Sequence, residues 1–314
     1  MKKLLLIAGA LTALSSWSVL ANERVDETVQ AEGVGKISID NLRGKVLIEG
    51  WDKTEVSVKG ELDEQTQRFI FERNGNAVKI KVKVKNSYRG GDNSDGSDLV
   101  VMVPRDVRVD FAGVSSDFTL KRIEKGVEGK TVSGDLHVSN IGGQTEIATV
   151  SGDIVSRQLS GKILLNTVSG DIEDTESKGR LKIRAVSGNV KTLSKAREVD
   201  LSVVSGEIEF MLGSIDDLEL SAVSGEIAGE LTLADSARVK MSSVSGDIGL
   251  KFNEDVNATF RLKTHAGGDL INKITDDRAQ ESKYSPRAKL YFDTGNGSAS
   301  VKGTTVSGTI RLTK

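Results

Sequence analysis

The 314-residue chain has no cysteine, two prolines, two histidines and only 4% aromatic residues. Without cysteine there is no disulfide, no thiolate nucleophile and no cysteine-held metal, so stability must come from packing and backbone hydrogen bonds. Few aromatic rings leave little for stacking bases or sugars. His137 and His265 are far apart in sequence and fall on different repeats, which argues against a shared metal site or a histidine-based triad. Neither charge sign dominates: 43 Lys+Arg face 45 Asp+Glu. That balance argues against a protein that coats nucleic acid electrostatically, while leaving room for local patches. Beyond the N-terminus no apolar run is long enough for a membrane-spanning helix, and no window of any length has helical periodicity.

Thirty-three glycines accompany plentiful Val, Ile and Ser. Glycine without proline, in such company, indicates strands with frequent tight bends rather than a disordered linker. The fold class expected is all-β.

The N-terminus reads as a targeting segment. Met1-Lys2-Lys3 is a basic start, Leu4 to Leu20 is mostly apolar, and Val19-Leu20-Ala21 suits a secretory cleavage site before Asn22. The alternative, a retained anchor, is disfavoured by the short run and by Ser15, Ser16 and Ser18. A lipid anchor would need a cysteine at the cut. Residues 1–21 are therefore expected to be a signal peptide, and the mature chain a periplasmic, secreted or other cell-envelope protein.

Self-similarity dominates the rest. Ser133, Ser151, Ser169, Ser187 and Ser205 each open a Ser-Gly-Asp-like phrase, at a constant spacing of 18 residues. A degenerate copy begins at Ser115, and later copies begin at Ser224 and Ser245, after spacings of 19 and 21. A worn copy stands at Gly267-Gly268-Asp269-Leu270, and Ser307-Gly308-Thr309-Ile310 lies near the end. A period of this size marks a repeat architecture.

Apolar residues recur in phase with the phrase. Val132, Val150, Val168, Val186, Val204, Val223 and Val244 precede the serines, and Leu136, Ile154, Ile172, Val190, Ile208, Ile227 and Ile248 follow the glycines. Strand alternation puts Val168, Gly170 and Ile172 on one face, expected to be inward, and Ser169 and Asp171 on the other. A second pair, such as Ile163/Leu165 or Leu181/Ile183, is out of phase with the first, which calls for a corner near Asn166-Thr167. The polar run Asp174 to Lys178, ending at Gly179, reads as the next corner.

Two architectures fit: a β-solenoid with one unit per coil, and a meander of hairpins. Constant spacing favours the coil, because stacking demands equal rungs while hairpin loops tolerate length changes. Units of 19 and 21 residues would then carry small loops at a corner. Each stacked Ile or Val contributes about 1.5–3 kcal/mol when buried.

Residues 22–110 are expected to form a less regular β region that caps the first repeat, with the repeat array over 111–314. Lys36–Ile39, Lys45–Ile48 and Glu55–Val58 read as strands, and Glu72–Asn76 as a turn into Ala77–Lys85. There Val78, Ile80, Val82 and Val84 face one way and Lys79, Lys81, Lys83 and Lys85 the other. Asn86 to Asp98 is the most loop-like stretch, and Leu99–Val103 is a strand stopped by Pro104. Ala288–Asp293, Ala299–Lys302 and Thr304–Thr313 are expected to close the far end.

The combination of Gly44-Lys45-Val46-Leu47-Ile48-Glu49-Gly50-Trp51-Asp52, Val103-Pro104-Arg105-Asp106-Val107, serial Ser-Gly-Asp-Ile units and the closing Gly303–Ile310 resembles one bacterial family. It is the family labelled "domain of unknown function 4097, putative adhesin". The resemblance runs from about residue 35 to 313. It implies a single-stranded right-handed β-helix or β-solenoid and an adhesin-like binding role, and it brings no catalytic residue with it.

The outward acids Asp135, Asp153, Asp171, Glu207, Glu226, Asp247 and Asp269, interrupted by Asn189, should form a stripe along the rungs. At a rung spacing of about 4.8 Å, neighbouring charges repel by roughly 0.9 kcal/mol even in bulk water, which calcium could relieve. Hydrogen bonding to turn backbone accounts for the same residues more simply, and the calcium-solenoid pattern Gly-Gly-x-Gly-x-Asp is absent. Nor do near-identical carboxylates in near-identical surroundings make the unequal acid and base a glycosidase needs. Ser133 recurs in every unit without a paired base. The lysine row 79–85 could hold an anionic surface polymer or lipid headgroup, or could simply solvate one face and protect an edge. No catalytic, cofactor or metal residue is assigned. The expected function is an exported, non-enzymatic, adhesin-like binding or scaffolding protein of the cell envelope, with an unknown protein or glycan as partner. The alternative is a carbohydrate-active solenoid enzyme.

Overall fold

The computed structural model describes residues 23–85 and 96–314, so the expected signal peptide and most of the expected loop Asn86–Asp98 lie outside the described residues. The described residues form 25 strands and no helix, linked by hydrogen bonds into one continuous sheet.

The repeat becomes a parallel register. Gln144–Ser151 pairs with Ser160–Ser169, which pairs with Lys178–Ser187, which pairs with Glu198–Ser205. Leu136–Ile141, Ile154–Arg157, Ile172–Thr175 and Val190–Ser194 stack likewise in a second ladder. Partners such as Ile154 and Ile172, or Ile163 and Leu181, are 18 residues apart. Parallel pairing excludes the hairpin meander for these units, because hairpins pair antiparallel.

The inward column after the glycines is as expected: Leu136, Ile154, Ile172, Val190, Ile208, Ile227 and Ile248 are buried. The valine column is not. Val132, Val150, Val168, Val186, Val204, Val223 and Val244 face outward, each between 43% and 47% exposed. Thr131, Thr149, Thr167, Ala185, Val203, Ala222 and Ser243 take the inward places instead. The strand Ser160–Ser169 runs through Thr167 without a corner, so Ile163, Leu165 and Thr167 share the inner face. The change of phase comes at Ser169-Gly170-Asp171, and beyond it Ile172 and Asp174 point inward.

Steric contact fixes the corner there. A β-carbon on Gly170 would stand 2.1 Å from the Gly152 carbonyl oxygen. The same collision, at 1.9 to 2.3 Å, recurs at Gly134, Gly152, Gly188, Gly206, Gly225, Gly246, Gly308 and Gly268, each against the rung beneath. The glycine of the phrase is therefore the point where adjacent rungs touch backbone to backbone. The expected corner at Asp174–Lys178 is also partly internal, since Asp174 and Ser177 are buried.

The longer spacings after Ser205 are absorbed away from this contact. Register holds at Ile208↔Ile227 and Ser224↔Ser245 and slips between Met211 and Asp217. This matches the expected small insertions at a corner.

At the N-terminal end, the expected strands 36–39 and 45–48 are one strand, Lys36–Trp51. One edge of it pairs with Arg108–Ile123, and the other with Ala77–Val84 and Ser97–Pro104. Antiparallel Thr66–Asn74 and Glu55–Glu61 lie outside those, and Arg24–Gln30 outside the latter. The turn at Gly75 joins Thr66–Asn74 to Ala77–Val84, as its sequence indicates.

The C-terminal end differs from expectation. Ala299–Thr305 and Ile310–Thr313 do not close it. They insert between the rung of Ile227–Ser245 and Ile248–Phe252 and the rung of Ala258–Thr264 and Leu270–Asn272. Antiparallel Ala288–Asp293 and then Gln280–Glu281 cover the outer edge. The glycine contacts follow this spatial order, Gly246 to Gly308 to Gly268. Shape is the reason: Ser307-Gly308-Thr309-Ile310 fits the Ser-Gly-Asp-Ile rung, whereas His265 to Leu270 carries one residue more.

Candidate functional site

The acidic stripe is held by backbone. The N–H of Asp135 donates to Asp117 Oδ1 at 3.0 Å, that of Asp153 to Asp135 Oδ1 at 3.0 Å, and that of Asp171 to Asp153 Oδ1 at 2.8 Å. Asn189 donates to Asp171 at 2.7 Å, Glu207 to the Asn189 side-chain oxygen at 3.1 Å, and Thr309 to Asp247 at 2.7 Å. Each short side chain thus ties its rung to the next, rather than bonding its own turn. This also explains the place of Asn189, whose amide oxygen accepts as a carboxylate does. Asp247 and Asp269 are not neighbours, because the rung of Thr309 separates theirs. Among the described residues no group of three or more His, Cys, Asp or Glu is arranged to hold a metal ion.

The other sequence candidates stay apart. Ser133 is exposed, and its N–H donates to the Val114 carbonyl at 2.6 Å. His137 is exposed and opposite Thr119 and Val155, while His265 lies at the far end against Thr305. In the lysine row, Val78, Ile80 and Val82 are buried as expected, but Lys81 is half-buried and pairs with Asp40 at 2.9 Å. Lys79 stands opposite Glu72, so the row is partly neutralised.

Two buried carboxylates escaped the sequence reading. Asp63 is held by Arg43, whose Nη2 donates to Oδ1 at 2.8 Å and whose Nε also bonds it, and by the Gln65 N–H at 2.8 Å. Burial pushes its carboxyl up, but the Arg43 and Gln65 hydrogen bonds and the Arg43 charge outweigh it and leave the value lowered. Asp174 has no such cation. Burial raises its pKa, against the hydroxyls of Ser156 at 2.6 Å, Ser177 at 2.5 Å and Thr192 at 3.2 Å. Sealed inside the core, it cannot meet a substrate. The signal was present, since Ser156 and Thr192 occupy the same inward place one rung to either side.

The outward valine column forms a regular surface feature. Leu42, Val114, Val132, Val150, Val168, Val186, Val204, Val223, Val244 and Val306 are all exposed large hydrophobics. Rung register places them in one line: Lys36–Trp51 stacks on Arg108–Ile123, and Ser243 pairs with Thr305 just before Val244 and Val306. With rungs about 4.8 Å apart, they form an apolar ridge along the array. Its flank on one side is the exposed serine line of the repeated phrase.

The Toastrack DUF4097 family matches residues 34–313. No curated protein matches the chain. Three solved structures match the chain over most of its length at low similarity. A "putative adhesin" from Bacteroides fragilis is 13% identical, with 92% of this chain and 97% of that one covered and a TM-score of 0.36. A "putative lipid binding protein" from Parabacteroides distasonis is 11% identical, over 93% and 97%, with a TM-score of 0.34. A "putative cell adhesion protein" from Clostridium sporogenes is 9% identical, over 93% and 99%, with a TM-score of 0.23. Such scores lend no weight to a shared partner. The family match takes in both the N-terminal strands and the whole run of repeats, and the chain belongs to the Toastrack DUF4097 family.

Proposed function

We propose that the chain is an exported, non-enzymatic binding or scaffolding protein of the cell envelope. Its rungs wind as a right-handed coil of about 18 residues, the hand that parallel crossover connections take in about 98% of cases. Within residues 22–110, the antiparallel strands outside Lys36–Trp51 act as a cap over the stacked rungs, protecting an edge that would otherwise invite end-to-end pairing.

The carrying observation is the apolar ridge from Leu42 to Val306. It repeats one chemistry at every rung on a rigid parallel array. Such a surface suits an extended partner, a protein or glycan held by many weak equal contacts. It does not suit one transition state, which needs unequal groups converging on a point.

The test is affinity recovery of partners from envelope extract by the chain of residues 22–314, beside a Val150→Asp/Val186→Asp variant. The expected result is a specific protein or glycan that the wild type recovers and the variant does not. Recovery of nothing specific contradicts the proposal. Product release from a panel of surface polysaccharides would favour the enzyme reading instead.

A further inference from the structure

Outward cations on the first ladder are paired with acids across the middle rungs and lose those partners toward the C-terminal end of the stack. Across the middle rungs the facing order is Arg180, Glu198, Asp217, Arg238, and alongside it Lys182, Asp200, Glu219, Lys240. Every acid there takes a cation: Arg180 pairs with Glu198, Lys182 with Asp200, Arg238 with Asp217 at 2.7 Å and Lys240 with Glu219 at 2.6 Å. Beyond Lys240 cations face cations with no acid between them. Lys240 faces Lys302, Lys302 faces Arg261, and Lys263 faces Lys289. Like charges directly opposite on a sheet destabilise it. Among the described residues, Lys302, Arg261, Lys263 and Lys289 have no ion-pair partner, and all four are exposed.

Tyr291 completes the cluster. It faces Arg261 across the strands and is 50% exposed. The floor beneath is rigid, with the Phe260 and Phe292 rings stacked at 4.4 Å. Together these strands line an open groove of 730 Å³. The outward residues of Ala258–Thr264, Ala288–Asp293 and Ala299–Thr305 are hydroxyl-bearing, charged or, at Tyr291, aromatic. Asp293 is the sole acid among them, and none is aliphatic.

We infer that this face binds an acidic glycan, with Lys302, Arg261, Lys263 and Lys289 taking its anionic groups and the Tyr291 ring stacking on a sugar. The assignment rests on the binding-protein reading and adds to the apolar ridge a second, polar surface with its own ligand class. The planar guanidinium of Arg261 matches a carboxylate in a two-point grip, and the lysines supply mobile point charges. Tyr offers a flat apolar body with a polar tip. An anionic bilayer is the poorer fit, because a membrane-binding face needs apolar side chains that enter the lipid.

The test measures binding of residues 22–314 to polygalacturonate, with dextran, polyglutamate and phosphatidylglycerol vesicles for comparison. The expected result is salt-sensitive binding to polygalacturonate, about tenfold tighter than to polyglutamate. R261E/K263E should weaken it at least about tenfold. Tyr291→Ala should weaken it several-fold without changing the salt dependence. K79E/K83E, with the same change of net charge at the other end, should leave it unaltered. Circular dichroism checks that each variant folds, and Lys302→Gln is the milder substitute if R261E/K263E does not. Equal binding to polyglutamate, indifference to Tyr291→Ala, or binding to vesicles alone would each overturn the assignment. If an envelope partner is still recovered while polygalacturonate does not bind, this site is wrong and the general reading stands. If no partner of any kind is recovered, the general reading fails too.

Discussion

Asp174 is the residue whose chemistry departs furthest from its sequence context. It falls in a polar run that reads as a surface corner, yet it is buried, with three hydroxyls as its hydrogen-bond partners. Burial raises its pKa, so the folded chain binds this proton more tightly than the unfolded chain. The sign follows directly. The contribution to stability is most favourable below the unfolded value and falls as pH rises through the window up to the folded value. Asp63 works in reverse: its lowered pKa supports the fold above the unfolded value and stops doing so as pH falls through the folded one. Asp174→Asn keeps the shape and can still accept from Ser156 and Ser177 while donating to Thr192. Thermal unfolding should show the variant gaining on the wild type as pH rises above the unfolded-chain value, with the two converging below it. A gap that does not change with pH would mean the carboxyl does not titrate as its burial requires.

A single rung is the element that the sequence spells out, and its corner is where reading it goes astray. The spacing of Ser133 to Ser205 favours the parallel stacking that the structure shows, and Ile172 and its equivalents lie inside as their position after the glycine indicates. Val168 lies outside against expectation, because strand alternation is blind to where a change of phase occurs. Moving that change from Asn166-Thr167 to Ser169–Asp171 flips the residues between. Only the contact between rungs decides the matter, and that contact is not local in sequence. It predicts that Gly170→Ala, which looks mild, costs about 2–4 kcal/mol, since a methyl group cannot fit 2.1 Å from the Gly152 oxygen. Denaturant titration measures it, and a loss below about 0.5 kcal/mol would show that the rungs do not touch there.

Over the whole molecule, what escaped the sequence is what depends on the order of rungs in space. The last repeat in the chain is not the last in the stack, because Ala299–Thr305 pairs with both Ile227–Ser245 and Ala258–Thr264. For the same reason the cluster of Lys302, Arg261, Lys263 and Lys289 is invisible along the chain and obvious across the sheet. The acidic stripe went the other way: conspicuous in sequence, it serves as hydrogen-bonded stitching between rungs.

The repeat turns an isoleucine column inward and a valine ridge outward. Thermal unfolding of Ile172→Asp beside Val168→Asp tests it most directly. A buried unpaired charge at Ile172 should abolish the cooperative transition or lower it by several kcal/mol, on the order of 3–5. Val168→Asp, on the ridge, should stay within about 0.5 kcal/mol of the wild type. Equal damage from the two, or an undisturbed transition in Ile172→Asp, would contradict it.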